Sequence, residues 1–421
     1  MTRAAYALLW WLATPFVLLR LAWRARRQRG YLERLGERFG HYAPIEQAPR
    51  IWIHAVSVGE TRAAAPLVDA LLQRYPLHRV LVTHMTPTGR ATGVELFGDR
   101  VERAWLPYDH RFAVRRFLAH FKPCAGILLE TEVWPRLIDE CAHAGVPIVL
   151  ANARLSERSA RRYRRWPSLA RWAFGNLSGI AAQTPDDAAR FTALGAKPPM
   201  VMGNVKFDGA VDPAMVERGR DFRVRFGTGR TVWVAGSTRD GEEALLLEAL
   251  EAIADPAALL VLVPRHPQRF DEVAALASSR GFAVERRSDE SAIAPQTRVV
   301  VGDSMGEMLA YYAAADAVIV GGSLLPFGSQ NLIEACAVGK PVIVGPSTYN
   351  FEEAATSAIA AGAAVRVSDA REALRAAAGI ASDRERRERM AASARDFVAA
   401  HRGAVERLVE WLGGLLPQGK D

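Results

Sequence analysis

The chain has 421 residues, 50% hydrophobic and 24% charged, enough for two cores of ordinary domain size and too apolar for a disordered or fibrous protein. Its net charge of +8 is uneven: residues 1–40 carry eight Arg against two Glu, Arg154 to Arg171 carry seven Arg against one Glu, and the remainder sums to −4. No zinc-finger spacing, RNP-like aromatic segment or lysine-rich tail accompanies the basic patches, so nucleic acid is not the expected partner, and a phospholipid or other phosphorylated surface suits two compact arginine clusters better.

The first predicted element is an apolar helix. Ala4 to Leu19 contains no charge, carries Trp10, Trp11 and Phe16, and is followed by Arg20, Arg24, Arg26, Arg27 and Arg29. Sixteen helical residues cover about 24 Å, short of the ~30 Å hydrocarbon core unless Arg20 snorkels and Leu21 to Trp23 extend the span. Spanning and in-plane insertion both fit. The charge follows the apolar stretch, unlike a cleaved signal peptide, and places the body on the cytoplasmic side. A buried N-terminal helix of a soluble protein is the competing reading.

Beyond residue 45, short β-branched runs alternate with alanine-rich helical stretches, the rhythm of parallel sheets covered on both faces. Ile51 to Val56, Val80 to Thr83, Gly126 to Leu129, Pro147 to Leu150 and Gly179 to Ala182 read as strands of a first half. Thr231 to Ala235, Leu259 to Val263, Val299 to Val301, Ala317 to Val320 and Pro341 to Val344 read as strands of a second. Phe207 to Pro213 interrupts the pattern and is the expected join, giving an anchor over 1–30, a first domain over 31–208 and a second over 209–421. Cys124, Cys141 and Cys336 fall in these predicted core elements and read as reduced, buried thiols of a cytoplasmic protein. Neither half has a G-x-G-x-x-G turn after its first strand, which argues against an NAD or FAD enzyme.

Ligands of open α/β sheets bind beyond the carboxyl ends of the strands, so the chemistry is sought in those loops. In the first half, Glu60 follows the first strand and starts a helix. It reads either as a carboxylate that accepts a proton or as the return arm of a Ser57-x-x-Glu60 capping box. Glu130 and Glu132 end a buried run before Trp134-Pro135, and paired carboxylates at a strand mouth favour a site. The arginine run from Arg154, interleaved with Tyr163, Trp166 and Trp172, reads either as a seat for anionic headgroups or acceptor phosphates or as a solvated helix face.

In the second half, Gly236-Ser237, between a strand and the helix of Glu242 to Glu251, offers backbone N–H groups and a hydroxyl to a phosphate. Pro264-Arg265-His266-Pro267 is a stiffened loop whose guanidinium can fork onto phosphate or stack on a base. Met305, Gly306 and Glu307 follow the next strand, where they can hold a base through backbone contacts or simply begin a helix. Asn331, Leu332, Ile333 and Glu334 end a glycine-rich loop, with Asn331 near a helix N-terminus and Glu334 one turn in, placed for ribose hydroxyls or for capping. The chain has no D-x-D pair, H-E-x-x-H or C-x-x-C, so no metal site and no cofactor are expected, and leaving-group charge falls to cations and helix N-termini.

Taken together these segments resemble the 3-deoxy-D-manno-octulosonic acid (Kdo) transferases of lipopolysaccharide assembly, membrane-associated glycosyltransferases of the GT-B fold. The likeness runs over nearly the whole chain, through Arg34 to Gly40, His54 to Glu60, Thr86-Pro87-Thr88-Gly89, Glu130-Thr131-Glu132-x-Trp134-Pro135, Asn152 to Ser156, Gly203-Asn204-x-Lys206-Phe207-Asp208 and Gly345-Pro346-x-x-Tyr349-Asn350-Phe351.

The resemblance implies two Rossmann-like domains facing a cleft, an acceptor-binding N-terminal one and a CMP-sugar-binding C-terminal one. It implies CMP-Kdo as donor, the lipid A precursor as acceptor, anionic inner-membrane lipids as partners, and an inverting, metal-independent transfer at the cytoplasmic face. Glu60 inherits the role of general base, and Glu130 and Lys206 match positions of transition-state stabilisation. Pro264 and Arg265, Met305 to Glu307, and Asn331 to Glu334 match CMP-binding segments. Some members carry a glutamate eight positions before the ribose-binding Glu and a histidine before the Asn, where this chain has Pro326 and Gln330. A GT-B enzyme using a UDP-sugar and a non-catalytic, membrane-bound nucleotide-sugar binder are the competing functions.

Overall fold

The structure, a computed structural model, describes residues 2–415 other than 27, 210, 254 and 256, so Arg27 of the basic flank and Ala210 of the expected join lie outside the described residues. The chain divides into two compact units, the first running to Gly209 and taking back the chain from Arg402 onward, the second ending at His401.

In the first unit seven parallel strands form one sheet: β1 (Arg50–His54), β2 (Arg79–His84), β3 (Glu102–Trp105), β4 (Pro123–Leu129), β5 (Ile148–Ala153), β6 (Gly179–Ala182) and β7 (Met200–Val201), in the order β3-β2-β1-β4-β5-β6-β7. The strands are apolar on both faces because helices cover both. Ile51, Ile53, Val80, Val82, Ile127 and Leu129 face Leu67, Val68 and Leu71 on one side, while Trp52, Leu81, Leu128 and Leu150 face Phe117 and Phe121 on the other. The period of two along each strand sorts neighbouring residues between the layers.

In the second unit another seven parallel strands, β8 (Val232–Thr238), β9 (Leu259–Pro264), β10 (Val284–Arg286), β11 (Val299–Val301), β12 (Ala317–Val320), β13 (Val342–Val344) and β14 (Ala364–Arg366), order as β10-β11-β9-β8-β12-β13-β14. Trp233, Ala235, Leu260, Leu262, Val299 and Ile319 pack there against Leu246, Leu250 and Val273.

The second domain, expected over 209–421, gives up its last segment. The helix Ala404–Gly413 buries Ala404, Val405, Leu408 and Leu412 in the core of the first unit. Asp208 starts that helix, its carboxylate accepting the N–H groups of Gly403 and Val405, each at 2.6 Å. Gly179 makes room for it, since a Cβ there would lie 2.5 Å from the Trp411 ring. Composition alone gives no sign of this return, because an amphipathic helix does not state which core it completes.

The N-terminal helix spans Arg3–Ala25, longer than the uncharged run, with Arg20 and Arg24 inside it. Only Tyr6, Leu21 and Ala25 are buried, so it is not the buried helix of the competing reading. Of the three free cysteines Cys141 and Cys336 are buried as expected, whereas Cys124 is only half-buried at the start of β4.

Candidate functional site

Each sheet has one topological switch point, where the chain leaves neighbouring strands in opposite directions and opens a crevice at their carboxyl ends. In the first sheet it lies between β1 and β4, and the segments that follow those strands hold Glu60 and Glu130.

Glu60 sits in the first turn of the helix Val58–Arg74, whose N-cap is Ser57. Its Oε2 accepts the Val56 N–H at 2.8 Å and its Oε1 accepts the Ser57 hydroxyl at 3.1 Å, while Ser57 Oγ accepts the Glu60 N–H at 3.4 Å. The carboxylate thus does close a capping arrangement, though on the N–H before the N-cap. Burial pushes its pKa up to about 7; the Val56 N–H opposes the rise, and the charges of Glu130 and Glu132 add to it. The capping reading of Glu60 is thus seen in its hydrogen bonds, and its raised pKa leaves the same geometry open to the base reading.

Glu130 follows β4 in the left-handed region at φ 57°, an uncommon conformation for a non-glycine residue. Its N–H donates to Ala151 O on β5 at 3.0 Å, which holds the turn. Lys206 Nζ lies 2.7 Å from its Oε1. The lysine is placed by two asparagines: Asn204 Oδ1 accepts its N–H at 3.0 Å, and Asn152 Oδ1 accepts that of Val205 at 3.2 Å. Residues 76 positions apart are thereby brought to one strand mouth, which no local pattern could state. Glu132 takes the Trp134 indole N–H at 2.9 Å, stands 3.9 Å from His54 Nε2, and is itself raised by burial. His54 is fully buried, and burial lowers its pKa to about 3, so it is a neutral neighbour.

The arginine run folds as the two helices Glu157–Arg164 and Pro167–Gly175. Arg161 and Arg164 share Glu157, Arg158, Arg162 and Arg165 are exposed, and Trp166 is exposed beside them. Trp172 instead is buried, with the guanidinium groups of Arg3 and Arg136 against its ring.

In the second sheet the switch point lies between β8 and β12. Gly236 and Ser237 are still in β8, and the helix that follows begins only at Glu242 behind Gly241, so this pair does not offer a helix N-terminus as expected. It offers close approach and a bent strand end instead. A Cβ on Gly236 would lie 2.5 Å from the Tyr312 ring, and Ser237 turns left-handed at φ 56°. Pro264 ends β9, and the Arg265 N–H donates to Thr238 O at 3.0 Å, tying that loop to β8.

Glu307 leaves only its backbone to a ligand. It precedes the helix Met308–Ala314, and its buried carboxylate meets Arg218 at 2.6 Å and Arg287 at 2.8 Å, so its side chain is committed within the protein. Met305 is exposed and Gly306 is left-handed at φ 82°, leaving this segment its backbone and the Met305 side chain for a ligand. Leu332 and Ile333 are likewise buried and can contribute only backbone. Asn331 Oδ1 caps the Ile333 N–H at 3.1 Å and its Nδ2 donates to Glu334 Oε1 at 3.0 Å. Glu334 therefore lies in the first turn of the short helix Ile333–Ala337, held by Asn331 and not a full turn in.

Glu242 is the residue that sequence reasoning passed over. Fully buried, its carboxylate accepts the N–H groups of Arg239 at 2.8 Å, Gly322 at 2.6 Å and Leu324 at 3.0 Å, binding the loop after β8 to the loop after β12. A second acidic residue in a charged helix start was its only signal. Tyr349 and Asn350 brace the same region from outside, donating to Pro326 O at 3.3 Å and Phe327 O at 2.9 Å.

Two parallel Rossmann-like sheets, one carrying clustered carboxylates and a lysine at its switch point and the other a glycine-rich cradle, define a protein of the GT-B fold class. The UDP-GlcNAc 2-epimerase from Neisseria meningitidis shares this fold at a TM-score of 0.61 and 16% identity, over 87% of this chain and 100% of that one. Residues 33–209 match the family described as 3-deoxy-D-manno-octulosonic-acid transferase (kdotransferase), and residues 244–397 match glycosyl transferases group 1. The 3-deoxy-D-manno-octulosonic acid transferase of Bordetella pertussis is 46% identical over 98% of this chain and 100% of its own, and that of Haemophilus influenzae 36% identical over 98% of each. The chain belongs to the 3-deoxy-D-manno-octulosonic acid transferase family.

Proposed function

We propose that this protein transfers Kdo from CMP-Kdo to the lipid A precursor during lipopolysaccharide synthesis, at the cytoplasmic face of the inner membrane, with inversion and without a metal ion. The observation that carries the mechanism is the Glu60 carboxylate: it is fixed by Val56 N–H and the Ser57 hydroxyl, and its affinity for a proton is raised to about pH 7. A base of that strength can take the proton of an acceptor hydroxyl as its oxygen bonds to the anomeric carbon and the bond from that carbon to CMP breaks. Glu130 and Lys206 are the transition-state pair. The lysine is the cation assigned to the negative charge that develops in the transition state, and Glu130 holds it at 2.7 Å.

The donor nucleotide is assigned to the second unit. Gly236 and Ser237 take phosphate, Pro264 and Arg265 the phosphate or base edge, Met305, Gly306 and the backbone of Glu307 the base, and Asn331 to Glu334 the ribose. The acceptor is assigned to the first unit, and the exposed arginines after Arg154 suit its phosphates.

The test incubates detergent-solubilised protein with CMP-Kdo and a tetra-acylated lipid A precursor and reads the lipid by mass spectrometry, wild type beside Glu60→Gln. Added mass of one or more Kdo units that the variant abolishes is expected. Equal product from the variant would remove Glu60 from the mechanism, and competition by UDP in place of CMP would move the donor to a UDP-sugar.

A further inference from the structure

The helix Arg3–Ala25 has two long faces, and only one of them meets the protein. Along the inner face, the Tyr6 hydroxyl donates to Asp109 Oδ2 at 2.6 Å, Trp10 packs on Tyr108, His110 and Trp134, and Thr14 Oγ1 bonds His110 Nε2 at 2.7 Å. Arg3 extends the seam by its ion pair with Asp139 at 3.4 Å. Along the outer face Leu8, Leu12, Phe16, Leu19 and Trp23, spaced by three and four residues, form one stripe with each side chain 57–73% exposed. Arg20 and Arg24 flank its C-terminal end.

The seam excludes a crossing. The contacts from Arg3 to Thr14 run about 16 Å along the axis at ~1.5 Å per residue, and they occupy the half of the helix that would have to pass through hydrocarbon and out of the far side. A spanning helix would either carry Asp109, Asp139 and Arg136 into the bilayer or abandon every one of these bonds. Resting on the seam, the same helix presents the stripe outward along its whole length.

Resting on the membrane location proposed above, we infer that this helix lies in the plane of an anionic phospholipid surface, its outer stripe inserted and its N-terminus on the same side as the body. The partner is identified by charge and shape. Exposed Trp11 and Trp23 suit the headgroup level. Beside the stripe, a cavity of about 330 Å³ is lined by Trp11, Phe112, Asp109, Arg111, Arg115 and Arg136, aromatic and with three arginines to one aspartate. Arg111 and Arg115 share the Glu140 carboxylate at 2.9 and 2.7 Å, and the four arginines Arg3, Arg111, Arg115 and Arg136 outnumber the three carboxylates Asp109, Asp139 and Glu140, leaving positive charge for a headgroup phosphate.

The experiment has two readouts on the full chain. Flotation with phosphatidylcholine vesicles, with and without phosphatidylglycerol, is compared for wild type and the double variant Leu12→Glu/Phe16→Glu. Wild type floats with the anionic vesicles, and the variant, altered only at exposed positions, floats several-fold less with an unchanged melting temperature. Thr2→Cys is then probed with an impermeant maleimide in spheroplasts and after lysis, with the parent chain as background. Labelling only after lysis supports the in-plane helix. Labelling in intact spheroplasts overturns it while leaving the membrane location standing. Failure of wild type to float overturns both, and a dimer that the double variant dissolves would show a second copy covering the stripe.

Discussion

In the proposed mechanism Glu60 would serve folding and chemistry with opposite pH preferences. Its pKa stands above the ordinary carboxylate value mainly through burial, so the ionised form is disfavoured in the folded protein. The stabilising contribution is therefore full below about pH 4.5 and is lost as pH rises through about 7, while the proposed base requires the high side of that window. Glu60→Gln keeps an acceptor for Val56 N–H and removes both the charge and the base. We expect kcat to fall by roughly 10²–10⁴, kcat/KM of wild type to decline below about pH 7, and the variant to gain on the order of 1–3 kcal/mol over wild type at pH 8 but not at pH 5. Paired melting curves and a pH profile check all three, and a variant less stable at pH 8 would refute the account of burial. For Glu130 and Lys206, contact at 2.7 Å makes their effects non-additive. Glu130→Gln and Lys206→Met should each lower the rate, with the double variant departing from the product of the two by a coupling of about 0.5–3 kcal/mol. Strict additivity would mean that the pair does not act as a unit.

At the scale of elements, ten of the fourteen strands among the described residues were legible and the four that were not, β3, β7, β10 and β14, are the edge strands of the two sheets. An inner strand of a covered parallel sheet is apolar on both faces, so it stands out as a β-branched run; an edge strand is short, only two residues in β7, and in β3, β10 and β14 charged residues break the apolar run. Glu102-Arg103, Glu285-Arg286 and Arg366 are such residues. The same reasoning separates the motifs. Gly203 to Asp208 was legible as a unit of resemblance, but its residues divide: Asn204 positions Lys206, whereas Asp208 caps the returning helix Ala404–Gly413. Asp208→Ala should therefore cost about 1–3 kcal/mol through two unpaired helix N–H groups, with Asn recovering part of it. Chemical denaturation reads the loss. An Asp208→Ala protein of normal stability and no activity would instead place this carboxylate in the chemistry.

For the whole molecule, each unit has its own core, but the C-terminal helix makes them unequal as fragments. Residues 211–401 expressed alone should unfold cooperatively and bind CMP by calorimetry, whereas residues 1–209 should expose the surface that Leu408 and Leu412 cover and should aggregate until a peptide of residues 402–421 is supplied. A soluble, cooperatively folded 1–209 would show that the returning helix is dispensable. The sequence by itself determined the alternation of strand and helix, the two sheets, the apolar N-terminal helix and the family motifs, because burial periodicity and strand-mouth residues are local and survive in the linear pattern. Only tertiary structure decided that Lys206 meets Glu130, that Glu242 binds two loops, that Glu307 is spent on arginines, which face of the N-terminal helix is docked, and which core the last helix completes. Each is a pairing between segments far apart in the chain, and a local pattern records what a side chain can do without recording whom it meets.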